Sequence, residues 1–481
     1  TVQLGETVVY EGAKTAGMFS FVISAHEAAW DTTLTVSGLQ DSVTLRNVDI
    51  GEVWVAGGQS NMEFPLRYDM DADTTISSAN DVHLRFYDVG KFSFEGEEAE
   101  GFKDTTAMDR WLTFVPENAA SFSAVGLYFA QVLREAQGVS IGLVGCNWAG
   151  TGAAAWLDEN YLRESPNLVY YTESYEESTK DLDMVKYEKK GKVARALIAS
   201  RRMQKVTENM MSGKTNLLQT LMALPAVLKV LPYTQTKGPA DPNRPGALYH
   251  TMVEKIAGFS CRGVIWYQGE YDERQADRYA DLFASVIRCW RDAWAESLPF
   301  LFVQLAPYEK SQMGSGRNFP RIREKQEWVS KNVENTYMVS IMDVGMRNNV
   351  HPKTKRPVGE RLALMARGKI YGESVLCDPP EIATVHFDSG VMILNFLHTG
   401  NGLVQKGTGG NVFKILVNGE NIDKFTVVLH TDCIEIHSPK FIQGADVQLL
   451  FAWAGYCEMN IFNSAGLPAK PFKTILSINL F

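Results

Sequence analysis

The sequence predicts an α/β domain with a mainly parallel sheet, flanked by N-terminal and C-terminal β-regions. Three observations predict it. Between residues 49 and 376, short apolar runs of strand character alternate with longer stretches of helical periodicity. Outside that range the alternation stops, and short β-branched and aromatic runs are punctuated by Gly, Asn and Asp. The unusual polar clusters sit where the inner strands end, which in an open parallel sheet is where ligands bind.

In chain order, residues 1–48 read as an N-terminal β-region, an incomplete sandwich, with strands at Thr7–Tyr10, Met18–Ile23 and Thr33–Val36. The inner domain, 49–376, opens with the apolar run Val53, Trp54, Val55 and a second strand near 82–87. A helix over 122–137 follows, with Val125, Leu127, Phe129, Val132 and Leu133 on its apolar face and Gly138 at its end. Further strands are expected at Ile141–Val144, Gly263–Trp266, Phe300–Leu305 and Tyr337–Met342, with helices over 273–295, 319–332 and 357–371. Residues 158–245 break the rhythm. They read as a helical insertion that walls a site or serves an interface, the latter implying a homo-oligomer built through it. Residues 377–481 carry short strands separated by turns, as in a C-terminal β-sandwich.

Composition excludes several classes. A 481-residue chain with 45% hydrophobic and 21% charged residues suits a large soluble core. Net charge is −9 and no basic tract marks a nucleic-acid footprint, so no nucleic-acid partner is expected. No run reaches the ~18 apolar residues of a membrane span. The six cysteines form no C-x-x-C pair, which argues against a zinc site or a disulfide framework and favours a reducing, cytoplasmic compartment. The chain opens on Thr1, so a secreted or periplasmic protein that has lost a leader fits as well. Asp69, Asp71 and Asp73 mimic the start of a calcium loop, but the required glycine and closing glutamate are missing. No cofactor motif and no metal-ligand cluster is present, so neither is expected.

The chemistry points to a serine. In GEVWVAGGQSNME the strand ends at Gly57-Gly58 and Ser60 follows where a helix starts, the place where a nucleophile keeps its hydroxyl exposed beside backbone N–H groups. Taken alone, the stretch also fits a glycine turn with a helix-capping serine, and it lacks the closing glycine of G-x-S-x-G. Of eight histidines, only His351 follows an inner strand at the edge where Ser60 lies. His26, His386, His398, His430 and His437 fall in the flanking regions, His83 near an inner strand, and His250 at the end of the insertion. The residues before His351 are Asn348 and Asn349, and Asp343 is eight positions upstream, so the expected arrangement is a Ser-His dyad without an acid. Backbone N–H groups of Ser60 and of the Gly150 turn, with the Gln268 amide, are the expected oxyanion donors. Glu270 either binds substrate hydroxyls or buttresses the site.

The blocks GEVWVAGGQSNM, NWAGT, WYQGE, LPFLFVQLAP and VHP, in this order, resemble the sialate O-acetylesterase family of SGNH-type hydrolases, as does the ending NIFNSAGLPAKPF. The resemblance spans nearly the whole chain apart from 158–245. It implies a three-layer SGNH-hydrolase domain with β-domains packed on it, and removal of acetyl groups from sialic acid without a cofactor. By position, Ser60 is then the nucleophile, His351 its base, and Ser60, Gly150 and Gln268 the oxyanion donors. Gln59, Asn61, Trp148, Glu270 and Asn348 fall among the substrate-binding or supporting positions. This chain departs from the pattern at Ala149, at Tyr271-Asp272 and in the missing acid before the histidine. The same chemistry on acetylated xylan or other plant-glycan oligosaccharides fits the blocks too. A glycan-binding protein built on a decayed esterase is the reading from another class.

Overall fold

The computed structural model describes residues 1–12, 21–97, 110–189, 237–309, 316–407 and 412–478, with a few isolated positions between 190 and 209. Half of the expected strand at Met18–Ile23 and about half of the 158–245 insertion lie outside the described residues; the described part of the insertion contains the helices Glu159–Arg163 and Val169–Thr179. Residues 21–28 form no strand.

The organising strand is β4 (Ser42–Gly58), 17 residues long. Its first half, SVTLRNVD, is polar and largely exposed. There it pairs antiparallel with β3 (Ala29–Ser37), which carries β1 (Val2–Leu4) and β2 (Thr7–Tyr10) at its far edge. Its second half, VWVAGG, runs between two parallel neighbours, as a strand apolar on both faces requires. The boundary expected between residues 48 and 49 therefore falls inside one continuous strand.

The parallel part of the sheet contains β5 (Asp81–Asp88), β7 (Ser140–Asn147), β8 (Gly263–Tyr267), β9 (Phe300–Val303) and β10 (Thr336–Val339), with β6 (Leu112–Phe114) antiparallel on the edge of β5. Reading across, the order is β5-β7-β4-β8-β9-β10. The chain adds strands on one side of β4 and then crosses to the other, so the order reverses at β4 and a crevice opens beyond its carboxyl end.

Helices cover both faces. On one face Ala124–Gln137 packs on Trp54 through Phe129, rings 5.1 Å apart. Its start is capped by the Ser123 side chain, which accepts from Gly126 N, and its end by left-handed Gly138. Arg356–Lys369 crosses it so closely that a Cβ on Gly359 would meet Val125 O at 2.5 Å. On the other face Tyr279–Trp294 sets Phe283 and Trp290 against Trp266, with Phe319–Asn332 alongside. Among the described residues no helix is long and apolar enough to cross a membrane.

Beyond residue 377, two four-stranded antiparallel sheets share a second core that includes Phe396, Ile415, Ile434, Leu449 and Phe451. Arg323 joins this core to the first. It is fully buried and donates to Leu305 O and Ala306 O on one side, and to Ala454 O and Gly455 O on the other. Burial without an acidic partner pulls its guanidinium down to about 10.

Candidate active site

The turn that presents Ser60 is built by two glycines. A Cβ on Gly57 would meet the Trp266 ring at 2.7 Å, and one on Gly58 would sit 2.2 Å from Tyr267 O, where φ is also +130°. Only glycine lets β4 end flush against β8. Gln59 N then donates to Tyr267 O, and Ser60 opens a short helix, Ser60–Glu63. Ser123, the cap of the next helix, donates its hydroxyl to Met62 O at 2.5 Å and fixes the far side of the turn.

His351 lies in the loop between β10 and the helix Arg356–Lys369, and its Nε2 is 2.9 Å from Ser60 Oγ. With the proton on Nδ1, the hydroxyl donates to Nε2, which is the arrangement a general base requires. Burial, and then the charge of Lys355, hold the imidazole down at about 4. The His351 backbone N–H donates to Asn349 Oδ1. Asp343 spends both oxygens on Arg361, and Asn348 is exposed. Among the described residues no side chain is bonded to His351 Nδ1.

The third strand end supplies the turn 148–150. Trp148 N donates to Gly58 O, and Ala149 N donates to Glu63 Oε2 at 2.5 Å, while Lys91 holds the other Glu63 oxygen. Gly150 is exposed with φ +74°, a left-handed conformation that suits glycine. Asn243 clamps the turn from the insertion side, donating to Gly150 O and accepting from Gly152 N. Among the described residues the N–H groups of Ser60 and Gly150 have no acceptor.

Gln268 is placed differently from an oxyanion donor. It is fully buried, and its Nε2 donates to Asp272 Oδ2 at 2.6 Å and Thr151 O at 3.3 Å while Oε1 accepts from Tyr279. Both amide hydrogens are thus engaged inside the protein. Asp272, whose Oδ2 also accepts from Ala153 N, is pushed up to about 6 by burial. Gln59 has the free amide hydrogens: its Oε1 accepts from Gly269 N and Tyr271 N, which fixes the amide orientation and leaves Nε2 without an acceptor among the described residues. Glu270 turns inward, with Oε1 bonded to Asn61 Nδ2 and Oε2 buried without a partner. Tyr271 is half-exposed at the mouth of the crevice. Trp148 is partly buried and packs against the core.

Sequence reasoning did not find Glu63, Lys91, Asn243, Tyr279 or Lys355. Tyr279 reaches Gln268 across 11 positions and the others act across larger separations, and none interrupts an apolar pattern. Only Lys355, four residues after His351, had a positional signal. Among the described residues no group of three His, Cys, Asp or Glu side chains is placed to hold a metal.

Known proteins show the same architecture. Residues 236–367 match the family model described as carbohydrate esterase, sialic acid-specific acetylesterase. The human sialate O-acetylesterase is 25% identical over 480 residues, covering 92% of this chain and 78% of its own length. The rat protein is 26% identical over 392 residues, covering 77% and 64%. The crystal structure of a carbohydrate acetylesterase from Xanthomonas citri superposes with a TM-score of 0.70 at 28% identity, over 94% of this chain and 87% of that one. A mixed α/β sheet with a polar crevice at its switch point and these relatives define a hydrolase of acetyl esters, a carbohydrate esterase that removes O-acetyl groups. The sialate O-acetylesterases are the family that it resembles over most of its length.

Proposed function

We propose that this esterase removes O-acetyl groups from sialic acid through an acetyl-enzyme formed on Ser60. The observation that carries the reading is the 2.9 Å contact between His351 Nε2 and Ser60 Oγ at the carboxyl end of β4. Ser60 Oγ attacks the ester carbonyl as its proton passes to His351 Nε2. The oxyanion is received by the N–H groups of Ser60 and Gly150, with the Gln59 amide as a third donor and Gln268 as a support for the turn. The intermediate collapses, the sugar oxygen leaves with the proton from His351, and the acetyl group stays on Ser60. Water then attacks that ester, gives its proton to His351, and releases acetate and free Ser60.

The finer fold reading is an SGNH-type three-layer domain over 49–376 with a helical insertion at 158–245, an N-terminal β-region over 1–48 and a C-terminal β-domain over 377–481. A homo-oligomer through the insertion belongs to the same reading, and light scattering checks it. A wider range of acetylated sugars is the second reading, because the Xanthomonas citri relative is described only as a carbohydrate acetylesterase.

The test is hydrolysis of an aryl acetate by the wild type, Ser60→Ala and His351→Ala. Each variant is expected to lose about 10⁴-fold or more in kcat. Full activity in Ser60→Ala refutes the mechanism, and an inactive wild type that binds glycans refutes the esterase reading. Acetylated sialic acids set against acetylated xylo-oligosaccharides then choose the sugar.

A further inference from the structure

Among the described residues His351 has no acid behind it, so something else must hold the base, and Asn61 is placed to do so. Asn61 follows Ser60 and is 1% exposed. Its Nδ2 donates to Val350 O, the residue before His351, at 3.0 Å, and to Glu270 Oε1 at 2.6 Å. Its Oδ1 accepts from Lys355 Nζ at 2.5 Å. Two residues that neighbour the reacting pair are therefore joined by one side chain, across 289 positions of sequence.

The amide has only one workable orientation. Flipped, it would turn its nitrogen to an ammonium and its oxygen to a carboxylate and a carbonyl, three repulsive contacts in place of three bonds. Lys355 is itself fully buried, with its ammonium 4.7 Å from the Phe64 ring centroid and 5.6 Å from that of Tyr267. Glu270 and Lys355 thus set Asn61 from opposite ends, and Asn61 sets the His351 loop. The Glu270 oxygen bonded to Asn61 supports the buttressing reading of the two left open by the sequence.

From this geometry we infer that Asn61 is the positioning residue that holds His351 against Ser60 in place of a triad acid, with Glu270 and Lys355 fixing its amide. The inference rests on the Ser60–His351 reading above. It concerns the placement of the base, so its loss slows the chemical step and leaves ground-state binding of the sugar intact.

The experiment measures kcat and KM for an aryl acetate and an acetylated sugar in Asn61→Ala, Glu270→Ala, Glu270→Gln and the double variant Asn61→Ala/Glu270→Ala. Folding is checked by thermal unfolding, and Ser60→Ala is run alongside. Asn61→Ala is expected to lower kcat about 100-fold while KM stays within about threefold. Glu270→Gln, which keeps an acceptor oxygen for Asn61, recovers most of what Glu270→Ala loses. The double variant is no slower than Asn61→Ala alone, because Glu270 acts through Asn61. A folded Asn61→Ala enzyme with near wild-type kcat overturns the inference. So does a Glu270→Gln enzyme as poor as Glu270→Ala, and this pair decides the matter if Asn61→Ala does not fold. An active Ser60→Ala enzyme would instead defeat the acetyl-enzyme reading, whereas an inactive one beside a fast Asn61→Ala defeats only the clasp.

Discussion

Neutral His351 is the species that can accept the Ser60 proton, so the acid side of the rate profile reports where this imidazole becomes charged. An ordinary histidine titrates at about 6.5, but here burial and then Lys355 bring the value down to about 4. The sign follows from the charges: a buried cation beside an ammonium is disfavoured, so the neutral base persists as pH falls and disappears only near 4. At pH 5 a group of pKa 4 remains about 90% neutral, whereas one of pKa 6.5 is about 3% neutral, a thirtyfold difference in competent enzyme. The assay is kcat/KM for an uncharged aryl acetate between pH 3.5 and 8, with tryptophan fluorescence as the check that the protein stays folded. Lys355→Met separates the two causes. Removing the smaller one moves the acid limb upward, yet the limb stays below 6.5 because burial, the larger cause, remains. Lys355 sits low for a lysine, at about 7, so it is fully charged in the range where His351 titrates. A wild-type limb near 6.5, or a Lys355→Met limb that does not rise, refutes this account of the base.

Three further outcomes are expected. Asp272→Ala strands Ala153 N–H and one Gln268 N–H and is destabilising by about 1–3 kcal/mol in urea unfolding, whereas Asp272→Asn keeps an acceptor oxygen. Because the folded Asp272 carboxyl is raised from 3.8 to about 6, its stabilising contribution is fully present below 3.8 and lost as pH rises to about 6, so the stability of Asp272→Asn relative to wild type grows across that range and levels off above it. Gly58→Ala drives a Cβ into Tyr267 O and is expected to lose about 3 kcal/mol or more together with activity, while Gly150→Ala, with nothing within 4 Å, carries only the left-handed strain of about 1–2 kcal/mol. Arg323→Ala removes the bonds that join the two cores, and calorimetry should show a loss of about 3–5 kcal/mol with separation of the two unfolding transitions.

Local signals carried much of this structure. The alternation of runs located every parallel strand of the inner sheet but not the short antiparallel edge strand β6, and the helix expected over 319–332 is found at Phe319–Asn332. Ser60 and His351 stood out as candidates because each follows an inner strand at its carboxyl end, and the structure brings them within 2.9 Å of each other. The reach of side chains was not legible. Gln268 reads as a donor from its place after a strand, yet Asp272 and Thr151 take both of its amide hydrogens. Glu63 and Asn243 look like ordinary helix and loop residues until folding brings them to the 148–150 turn. The continuity of β4 was missed because its polar first half reads as a separate region, although backbone pairing carries the strand straight through.

The length of β4 has a consequence for synthesis. The strand leading to Ser60 precedes its two parallel partners, which begin about 80 and about 200 residues later, so its inner half cannot be paired on both edges until most of the inner domain has left the ribosome. Its outer half needs only β3, which precedes it. A nascent chain can therefore close the N-terminal hairpins while the apolar VWVA segment still waits, exposed and of strong β-propensity. Ser60, which precedes both partners of its strand in the chain, is therefore set in place only after they have been made.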